Sequence, residues 1–547
     1  MINLLIKQLI LFLFLSYSLI SQEFPDLPEV VDLPKSIFTK EDSTNSLISL
    51  RATIEDILNN ELLAKTKHSI AIYSLDQKDY IYQKNIYEAI TPASNTKLFT
   101  TFSALSIFGK SYYVSTVVYS DARPGSDSVL NGNLYIVGYG DGLLSVSDIE
   151  YLADDIKKSG IKRINGNIYA DDSYFDEITD RMIYAGDADR VEGIPPITSL
   201  SIEKNIVQVL VRAGSISGDK VNVQTIPASD AFRVSVTGKV RGGKKRNKGS
   251  LDNNESIEVE QHTLPIFESR YQYGGGAYEN IAISAAGRIY ISSKLGKDGF
   301  QNLKVSGSLN SGRTYYYSYH ILNPALAVSG SLKNRLISGG VPVTGTIGVK
   351  SIQEIDSSKK TVYLSVFQRP LIELLMPINK NSDNYLAETL FKTIGGNAKL
   401  NDHTGKSAQM AIKEALKNNR IYCDKCQLND GSGLSRRNLC TTDALVQMLR
   451  AAANSNFASE FDTTLAIAGI DGTLEKRMTY GLAENNLRAK TGTLRNVSAL
   501  SGYVNTLDGE RLCFSFIFNG PNIGTYKEIE NQLGEILSQF FYYNVEN

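Results

Sequence analysis

Short apolar runs bounded by polar turn residues lie near both ends of the chain and predict strands of one sheet. The runs SIAIYSL from Ser69 and DYIYQ from Asp79 flank a short polar turn, which predicts a β-hairpin. Two runs close to the C-terminus, ALSGYVNT and RLCFSFIFNG, have a matching texture. Strands from both ends of a chain indicate a single domain that is closed by its two termini.

Longer segments of helical periodicity lie between and after these runs. They cover residues Leu386–Ile394, Asp443–Asn454 and the stretch from about Tyr526 to Phe541. Helices and strands together predict an α+β fold, with an antiparallel sheet flanked by helices.

Between residues 116 and 323 the pattern changes to short β-like runs such as NLYIVG, KVNVQTI and AFRVSVTG, in a background rich in Gly, Ser and Asn. A chain of 547 residues is long enough for more than one domain. We therefore expect a large, mainly β insertion at 116–323, with two nested subdomains, inside a domain formed by residues 22–115 and 324–547. The basic segment KVRGGKKRNKG from Lys239 is typical of a solvated hairpin tip, and contact with an anionic polymer is the alternative.

The N-terminus resembles a secretory signal peptide of residues 1–21. Lys7 supplies a weak positive region, and the run from Leu9 to Phe14 supplies an apolar core. Ser18 and Ser21 are the small residues that follow this core. Because Leu19 makes the cleavage site imperfect, an uncleaved membrane anchor is the alternative. We expect a protein exported across the cytoplasmic membrane, in the periplasm.

Charge and cysteine content narrow the function further. The formal net charge of −1 gives no support to nucleic-acid binding, which normally requires a strongly basic face.

In an exported protein the four cysteines are available for disulfides, whose pairing the sequence does not determine. The CxxC segment favours a local structural clip, with a redox or zinc site as alternatives. The cysteines are Cys423, Cys426, Cys440 and Cys513.

Ser94 is a candidate nucleophile. It lies three residues before Lys97 in TPASNTKLFTT, and on a helix positions i and i+3 share a face. The same spacing recurs, for example at Ser159 and Lys162, so the pair alone favours an ordinary helix start.

A serine nucleophile needs a base, and none of the four histidines lies in a recognisable triad motif. They are His68, His262, His320 and His403. A lysine can serve as the base if burial and a second cation lower its pKa. Lys490 in NLRAKTGTLRN can supply that cation, while Gly492 permits close approach of the backbone. The hydroxyls of Thr491 and Thr493 can hold a substrate carboxylate.

A third element, NSDNYLAETL, places Ser382, Asp383 and Asn384 ahead of an apolar helical run. There a hydroxyl can relay a proton and an amide can bind a peptide carbonyl. The forms S-x-x-K, S-D-N and K-T-G are together the signature of penicillin-binding proteins and class A β-lactamases. Far more residues separate Ser94 from Ser382 than a compact β-lactamase has between these motifs.

With its further motifs, the chain resembles the D-alanyl-D-alanine carboxypeptidase/endopeptidase family of low-molecular-mass class C penicillin-binding proteins. The matching residues are PASNTK from Pro92, GNIYADDSYFD from Gly166, SDN at Ser382, DGSGLSRRN from Asp430, GIDGTL from Gly469 and AKTGTL from Ala489. This resemblance implies a penicillin-binding-protein/serine β-lactamase-like core, interrupted by the large mainly β insertion.

The resemblance also implies roles for the residues of the three motifs. Ser94 would attack the carbonyl of the penultimate D-Ala, and Lys97 would accept its proton. Ser382 would pass a proton to the leaving amine, with Asn384 orienting the substrate backbone. Lys490 would supply positive potential. The backbone N–H groups of Ser94 and Thr493 would form the oxyanion hole, and Thr491 and Thr493 would face the terminal carboxylate.

Two further matches, Asp171 and Arg436, correspond to family positions near the peptide side chain. They suit a diaminopimelate-type third residue of the stem peptide, which carries both an amine and a carboxylate. For Asp171 a turn or cap residue is the alternative.

The expected protein is therefore a serine carboxypeptidase or endopeptidase that acts on peptidoglycan stem peptides and binds β-lactam antibiotics covalently. Ser/Lys chemistry implies no cofactor, and no metal site is predicted. A β-lactamase or esterase on the same scaffold is one alternative. A non-catalytic wall-binding protein is the other, although binding alone would not require Lys97 or Lys490.

Overall fold

A computed structural model describes residues 40–188, 193–244, 278–284, 287–355 and 361–541. The signal segment predicted at residues 1–21 lies outside the described residues, and so do residues 245–249 of the basic segment. Of the helices that are described, none combines the length and the apolar character needed to cross a bilayer.

Helices and strands alternate along the described chain, with most strands in its middle part. The helices are α1 (Lys40–Leu58), α2 (Thr96–Phe108), α3 (Val146–Lys158), α4 (Arg181–Ala185), α5 (Pro324–Ser338), α6 (Leu371–Lys380), α7 (Asn384–Ala398), α8 (Thr404–Asn418), α9 (Thr442–Ala453), α10 (Ala458–Thr464) and α11 (Ile523–Gln539). The strands are β1 (Lys67–Ser74), β2 (Asp79–Lys84), β3 (Tyr113–Ser120), β4 (Val129–Leu130), β5 (Leu134–Gly138), β6 (Arg163–Ile164), β7 (Ile168–Asp171), β8 (Ile206–Arg212), β9 (Asn222–Ile226), β10 (Phe232–Val236), β11 (Lys239–Arg241), β12 (Tyr278–Ser284), β13 (Gly287–Leu295), β14 (Gln301–Asn310), β15 (Thr314–His320), β16 (Ile347–Val349), β17 (Val362–Pro370), β18 (Ala466–Ile467), β19 (Arg488–Leu494), β20 (Val497–Asn505) and β21 (Arg511–Asn519).

A six-stranded antiparallel sheet joins the two ends of the chain. Its order is β18-β19-β20-β21-β1-β2, so the first described strand pairs with the last. Ile72 of β1 lies opposite Phe514 of β21. The predicted N-terminal hairpin is present as β1 and β2. Closure of an α+β domain by its two termini is therefore confirmed.

Both faces of this sheet are covered, because successive side chains of a strand point to opposite sides. Ile70 and Ile72 lie in one core with buried residues of α1 and α11. Ala71 and Tyr73 lie in the other core, with buried residues of α2, α7 and α9. The second core supports α2, which carries the candidate base Lys97.

The middle of the chain forms further sheets around a core of its own. The orders are β16-β7-β5-β3-β17, β15-β8-β9 and β10-β14-β13-β12, with β11 also paired to β14 and a small ladder between β4 and β6. This region is rich in strands, as the change of pattern predicted.

Residues after the expected boundary at residue 324 pack with the inserted strands. Strand β17 pairs antiparallel with β3, with Val366 opposite Val117. Strand β16 pairs with β7, and buried residues of α5 such as Leu332 lie in the core of the inserted strands. The two-domain division itself stays a prediction, but residues 324–370 pack with the insertion. We propose that the chain returns to the first domain near Leu371.

The cysteines divide into one bonded pair and two thiols. Cys423 and Cys426 form a disulfide between α8 and α9, which agrees with a local clip. Cys440 and Cys513 are buried and free, and burial raises the pKa of both thiols above the usual value. A buried thiol with a raised pKa is a poor nucleophile, so these two residues are structural.

Candidate active site

Ser94 is half-buried in a tight turn, residues 93–95, that runs directly into α2. Ala93 in this turn has a φ of 48°, a left-handed conformation that costs a residue with a Cβ about 1–3 kcal/mol. Two glycines lie very close to the turn. A Cβ added at Gly433 would lie 2.0 Å from the Ala93 carbonyl oxygen, and one added at Gly492 would lie 2.8 Å from that of Pro92. The strained turn is thus held between β19 and the loop that contains Gly433.

Side chains of the C-terminal strands fix the same turn. Asn95 donates through Nδ2 to Ser501 Oγ of β20 at 2.8 Å. The Thr91 N–H donates to Asn519 Oδ1 at 2.9 Å, and Asn519 Nδ2 donates back to the Thr91 carbonyl at 3.0 Å. The position of Ser94 therefore depends on strands about 400 residues later in the sequence.

Lys97 lies on the first turn of α2 and is fully buried. Its Nζ donates to Ser94 Oγ at 3.0 Å, to Asn384 Oδ1 at 2.7 Å and to the Ser432 carbonyl at 2.5 Å. The structure therefore brings Ser94, Lys97 and Asn384, which the sequence places in two separate motifs, into direct contact.

The S-D-N segment forms the entry to α7. Ser382 has a φ of 60°, and Asp383 caps the helix by accepting from the Leu386 N–H at 2.9 Å. Asp383 Oδ2 also accepts from Lys204 Nζ of the inserted region at 2.6 Å. These two contacts hold Asp383 in place, and with it the neighbouring residues Ser382 and Asn384.

Lys490 is fully buried on β19 and donates to the Thr491 carbonyl at 2.8 Å. Burial lowers the pKa of Lys490 well below its usual value, and the positive charge of Lys97 lowers it further. Burial and a neighbouring like charge both favour the neutral form of an amine. The second cation expected from the sequence therefore lies within electrostatic range of Lys97.

The K-T-G strand presents its two threonines on one side. Thr491 and Thr493 are two residues apart, so they share a face of β19, and Thr493 is exposed. Thr491 Oγ1 lies 2.8 Å from Thr473 Oγ1 in the GIDGTL segment. Gly492 leaves no room for a side chain next to Pro92. The strand can therefore approach the nucleophile turn while its hydroxyls remain on an accessible face.

The GIDGTL segment joins the S-D-N entry to the K-T-G strand. Lys380, two residues before Ser382, donates to Asp471 Oδ2 at 2.5 Å and to the Leu465 carbonyl at 3.0 Å. Gly472 has a φ of 56°, and a Cβ there would lie 2.4 Å from the Lys380 carbonyl oxygen. This motif therefore has a positioning role, which its sequence alone did not reveal.

Two buried carboxylates shape the DGSGLS loop. Asp430 accepts from the N–H groups of Gly433 at 2.9 Å and Ser435 at 2.8 Å. Glu388 of α7 accepts from the N–H groups of Gly431 at 3.2 Å and Ser432 at 2.8 Å. With its N–H groups bound on this side, the loop presents the Ser432 carbonyl to Lys97.

A short helix of the inserted region completes this cluster. Arg181 of α4 is 3% exposed and donates through Nη1 to Asp430 and to Asp187, each at 2.9 Å. Tyr184 of the same helix donates to Glu388 Oε2 at 2.8 Å. Both carboxylates that shape the DGSGLS loop are therefore held from the insertion.

The two candidate recognition residues lie in different surroundings. Arg436 is half-buried and directly follows the DGSGLS loop. Asp171 is 2% exposed and accepts from the Ser173 N–H at 2.9 Å, the Ile352 N–H at 2.7 Å and the Ser351 hydroxyl at 3.3 Å. These contacts are typical of a residue that closes a turn, so the role of Asp171 in recognition stays a prediction that its geometry does not favour.

Comparison with known proteins decides the family. The sequence matches the profile of the D-Ala-D-Ala carboxypeptidase 3 (S13) family over residues 50–266 and 274–540. The chain belongs to this family. It is 30% identical over 480 residues to a D-alanyl-D-alanine carboxypeptidase of Actinomadura sp., covering 87% of this chain and 81% of the relative. It is 25% identical over 460 residues to the D-alanyl-D-alanine carboxypeptidase DacB of Haemophilus influenzae, and the match covers 82% of this chain and 85% of that relative.

A solved structure resembles the fold of this S13-family chain. The crystal structure of penicillin-binding protein 4 from Haemophilus influenzae superposes with a TM-score of 0.64 and 21% identity, over 88% of this chain and 99% of that one. At this identity the likeness shows the fold alone. The family resemblance, the fold class and the assignment to the serine peptidases are thus confirmed.

Three residues of this S13-family site did not emerge from the sequence, namely Lys204, Arg181 and Glu388. The first two lie in the insertion, outside the motifs that identified the candidate site. Glu388 lies one helical turn after Asn384 in NSDNYLAETL, and this charged residue in an otherwise apolar helical run was the available signal.

Proposed function

We propose that this S13-family protein is a serine D-Ala-D-Ala carboxypeptidase or endopeptidase that cleaves peptidoglycan stem peptides and is acylated by penicillins at Ser94. The observation that carries the proposal is the contact between Lys97 Nζ and Ser94 Oγ, 3.0 Å apart, with the lysine fully buried. Relatives that bear the name D-alanyl-D-alanine carboxypeptidase support the substrate class.

In the proposed acylation, neutral Lys97 accepts the hydroxyl proton while Ser94 Oγ attacks the carbonyl carbon of the penultimate D-Ala. Lys97 and Lys490 are both fully buried, and two neighbouring buried amines disfavour being charged at the same time. A C–O bond forms, the C–N bond to the terminal D-Ala breaks, and Ser382 relays the proton to the leaving amine. Water then hydrolyses the ester, which restores Ser94 and releases the shortened peptide as a carboxylic acid.

An open edge of β19 suits the substrate backbone. Strand β18 pairs only with Arg488 and Ala489, so within the described residues no strand lies beside 490–494 on that edge. A peptide can add to such an edge as a further strand. The terminal carboxylate would then meet Thr491 and Thr493, and the N–H groups of Ser94 and Thr493 would bind the oxyanion.

We assign recognition of the third stem residue to Arg436. Arg436 follows the DGSGLS loop directly in the chain, and a guanidinium binds a carboxylate in a bidentate manner. The expected partner is the side-chain carboxylate of a diaminopimelate-type residue. If Arg436→Ala leaves the preference for diaminopimelate over lysine peptides unchanged, this assignment is wrong.

The proposed location is outside the cytoplasmic membrane, in the periplasm. The apolar segment at residues 1–21 supports export, and the disulfide between Cys423 and Cys426 suits an oxidising compartment. Membrane attachment would follow only if that segment stayed uncleaved.

The proposal is tested by labelling with a fluorescent penicillin and by D-Ala release from a pentapeptide. Ser94→Ala should abolish both signals. Ser159→Ala is the matched control, because Ser159 has the same Ser-x-x-Lys spacing but is exposed at the end of α3. Labelling or D-Ala release by Ser94→Ala at the wild-type level would show that Ser94 is not the nucleophile.

The same assays separate the alternatives. Rapid hydrolysis of the penicillin acyl-enzyme, without D-Ala release, would indicate a β-lactamase. Binding of peptidoglycan without labelling would indicate a wall-binding protein. Release of D-Ala from pentapeptides, compared with cleavage of cross-linked dimers, measures the balance of carboxypeptidase and endopeptidase activity.

A further inference from the structure

The DGSGLS loop lies between the candidate base and a buried acidic residue. On one side, the Ser432 carbonyl accepts from Lys97 Nζ at 2.5 Å and the Gly431 carbonyl accepts from Thr100 Oγ1 at 2.9 Å. On the other side, the N–H groups of Gly431 and Ser432 donate to Glu388. The peptide between Gly431 and Ser432 is therefore held from both sides, by Thr100 and by Glu388. The carboxylate thus fixes Ser432, and the N–H of the next peptide, on Gly433, donates to Asp430.

We propose that Glu388 is a positioning residue for acylation: its carboxylate binds two successive N–H groups of the DGSGLS loop and thereby fixes Ser432, whose carbonyl accepts from Lys97. This inference rests on the proposed function and deepens it. Glu388 accepts hydrogen bonds from the loop and from Tyr184, so it acts through the loop.

Three hydrogen bonds engage both oxygens of the carboxylate. Oε1 accepts from the Ser432 N–H at 2.8 Å, while Oε2 accepts from the Gly431 N–H at 3.2 Å and from the Tyr184 hydroxyl at 2.8 Å. A protonated carboxyl group, or a glutamine amide, has only one oxygen free to accept. Either change therefore removes one of the two contacts with the loop while leaving the other.

The charge of Glu388 is sensitive to pH in the neutral range. Burial, and then the negative charge of Asp430, raise the pKa of Glu388 to about 7, while Arg181 and the bonds from Ser432 and Tyr184 oppose that rise. The charged and titratable groups around it are Asp430 in the loop, Arg181 and Tyr184 on α4, Asp187 after α4, Lys392 on its own helix and Lys97 across the loop.

The direction of the effect follows from these contacts. Above about pH 7 the ionised carboxylate holds both N–H groups, and below this pH the protonated form releases one of them. The acylation rate should therefore fall as the pH decreases through this value. Glu388→Gln resembles the protonated state at every pH, so its rate should lack this step.

The test measures the acylation rate constant with benzylpenicillin between pH 5.5 and 9. We expect Glu388→Gln to lose the inflection near pH 7 and to react about 3- to 10-fold more slowly than wild type above pH 8, the effect of one hydrogen bond. The dissociation constant of the noncovalent complex should change less than the rate constant. A glutamine variant with the wild-type profile would overturn the proposal.

Two further variants sharpen the test. Tyr184→Phe removes a hydrogen bond that favours the ionised form of Glu388, so the inflection should move to higher pH. An unmoved inflection would count against the proposal even if Glu388→Gln fails to fold.

Glu510→Gln is the matched control, because burial also raises the pKa of Glu510 to about 7 but its partner is Ser74, at the far end of β1. It should keep the wild-type profile, and loss of the inflection in this control would overturn the assignment to Glu388.

Failure of this inference differs from failure of the proposed function. If the proposed function is wrong, wild type forms no acyl-enzyme on Ser94 or releases no D-Ala from a pentapeptide. If only the positioning role is wrong, wild type is acylated and Glu388→Gln follows the same pH profile.

Discussion

Lys204 Nζ lies 2.6 Å from Asp383 Oδ2, so the insertion directly holds the middle residue of the S-D-N motif. Lys204 projects from a turn in which Glu203, Lys204 and Asn205 have φ values of 51°, 53° and 57°. Three successive left-handed residues other than glycine are strained, and such strain persists only where neighbours enforce it. Here Glu203 accepts from the Val146 N–H at 2.9 Å, and Asn205 donates to the Pro196 carbonyl at 2.8 Å.

Replacing Lys204 by Met should slow acylation of Ser94 slightly. The lysine side chain is 40% exposed, so solvent screens the pair, and exposed ion pairs contribute about 0.2–1 kcal/mol. We expect about a threefold decrease in the acylation rate constant at low salt. Because salt screens such pairs, the difference from wild type should shrink at 0.5 M NaCl. A decrease of a hundredfold that is independent of salt would contradict this picture.

Gly492→Ala should leave the fold intact but strongly impair acylation. The added Cβ would lie 2.8 Å from the Pro92 carbonyl oxygen and would push β19 away from the nucleophile turn. A displacement of about 1 Å in an active site can cost about 100-fold in rate. Penicillin labelling kinetics and the melting temperature should be measured together.

Gly524→Ala is the control for that substitution. Gly524 is exposed near the start of α11, and a Cβ there meets no atom within 4 Å. It should label like wild type. Normal labelling by Gly492→Ala would show that the close approach of β19 to Pro92 is not needed.

Arg369→Met should destabilise the junction between the insertion and α6. Arg369 donates to Asp141 at 2.9 Å, to Asp148 at 2.6 Å and to Glu373 at 3.0 Å. The Asp141 side chain is fully buried, and burial raises its pKa although Arg369 opposes the rise. Removing one partner of a buried pair costs about 3–5 kcal/mol, which should appear as a lower melting temperature.

Two further variants check the cause of that loss. Adding Asp141→Asn to the Arg369→Met protein should restore part of the stability, because the buried charge is gone. Arg233→Met, which breaks the exposed pair with Asp298, should leave the melting temperature unchanged. An equal loss in both arginine variants would rule out burial as the cause.

Glu510→Gln should stabilise the protein at alkaline pH. Burial raises the pKa of Glu510 to about 7, whereas an unfolded glutamate titrates near 4.3. The folded state then binds more protons than the unfolded state between these values. The stability contributed by the neutral carboxyl is therefore complete below about pH 4.3 and is lost as the pH rises through about 7.

The neutral glutamine side chain does not titrate, so its advantage should grow with pH. Melting temperatures of wild type and Glu510→Gln should agree near pH 4 and differ at pH 8, with the variant more stable. The same difference at both pH values would show that Glu510 does not titrate in this range.

Local pattern predicted the elements of the first domain well. The run RLCFSFIFNG is strand β21, and the helix expected from Tyr526 to Phe541 is α11, Ile523–Gln539. Such elements are predictable because the spacing of apolar residues that marks a strand or a helix is visible among residues close together in the sequence. The insertion was recognised for the same reason, from its change of texture.

Residue types in the three motifs identified the candidate chemistry, but spacing could not. Ser94 with Lys97 and Ser159 with Lys162 have the same separation, yet Lys97 is fully buried while Lys162 is exposed. Burial is a property of the packed chain and cannot be read from the spacing. In the sequence, two other observations favoured Ser94 and Lys97: no histidine can serve as the base, and Lys490 can supply the second cation.

The sequence by itself determined the α+β class, the closure of the sheet by both termini and the family. Only the tertiary structure showed that β17 pairs with β3 of the inserted region, because this pairing joins residues some 250 positions apart. It also decided that Glu388, Arg181 and Lys204 support the site. Their contacts arise from the packing of the insertion against the first domain, and such long-range contacts leave no periodic signal in the sequence.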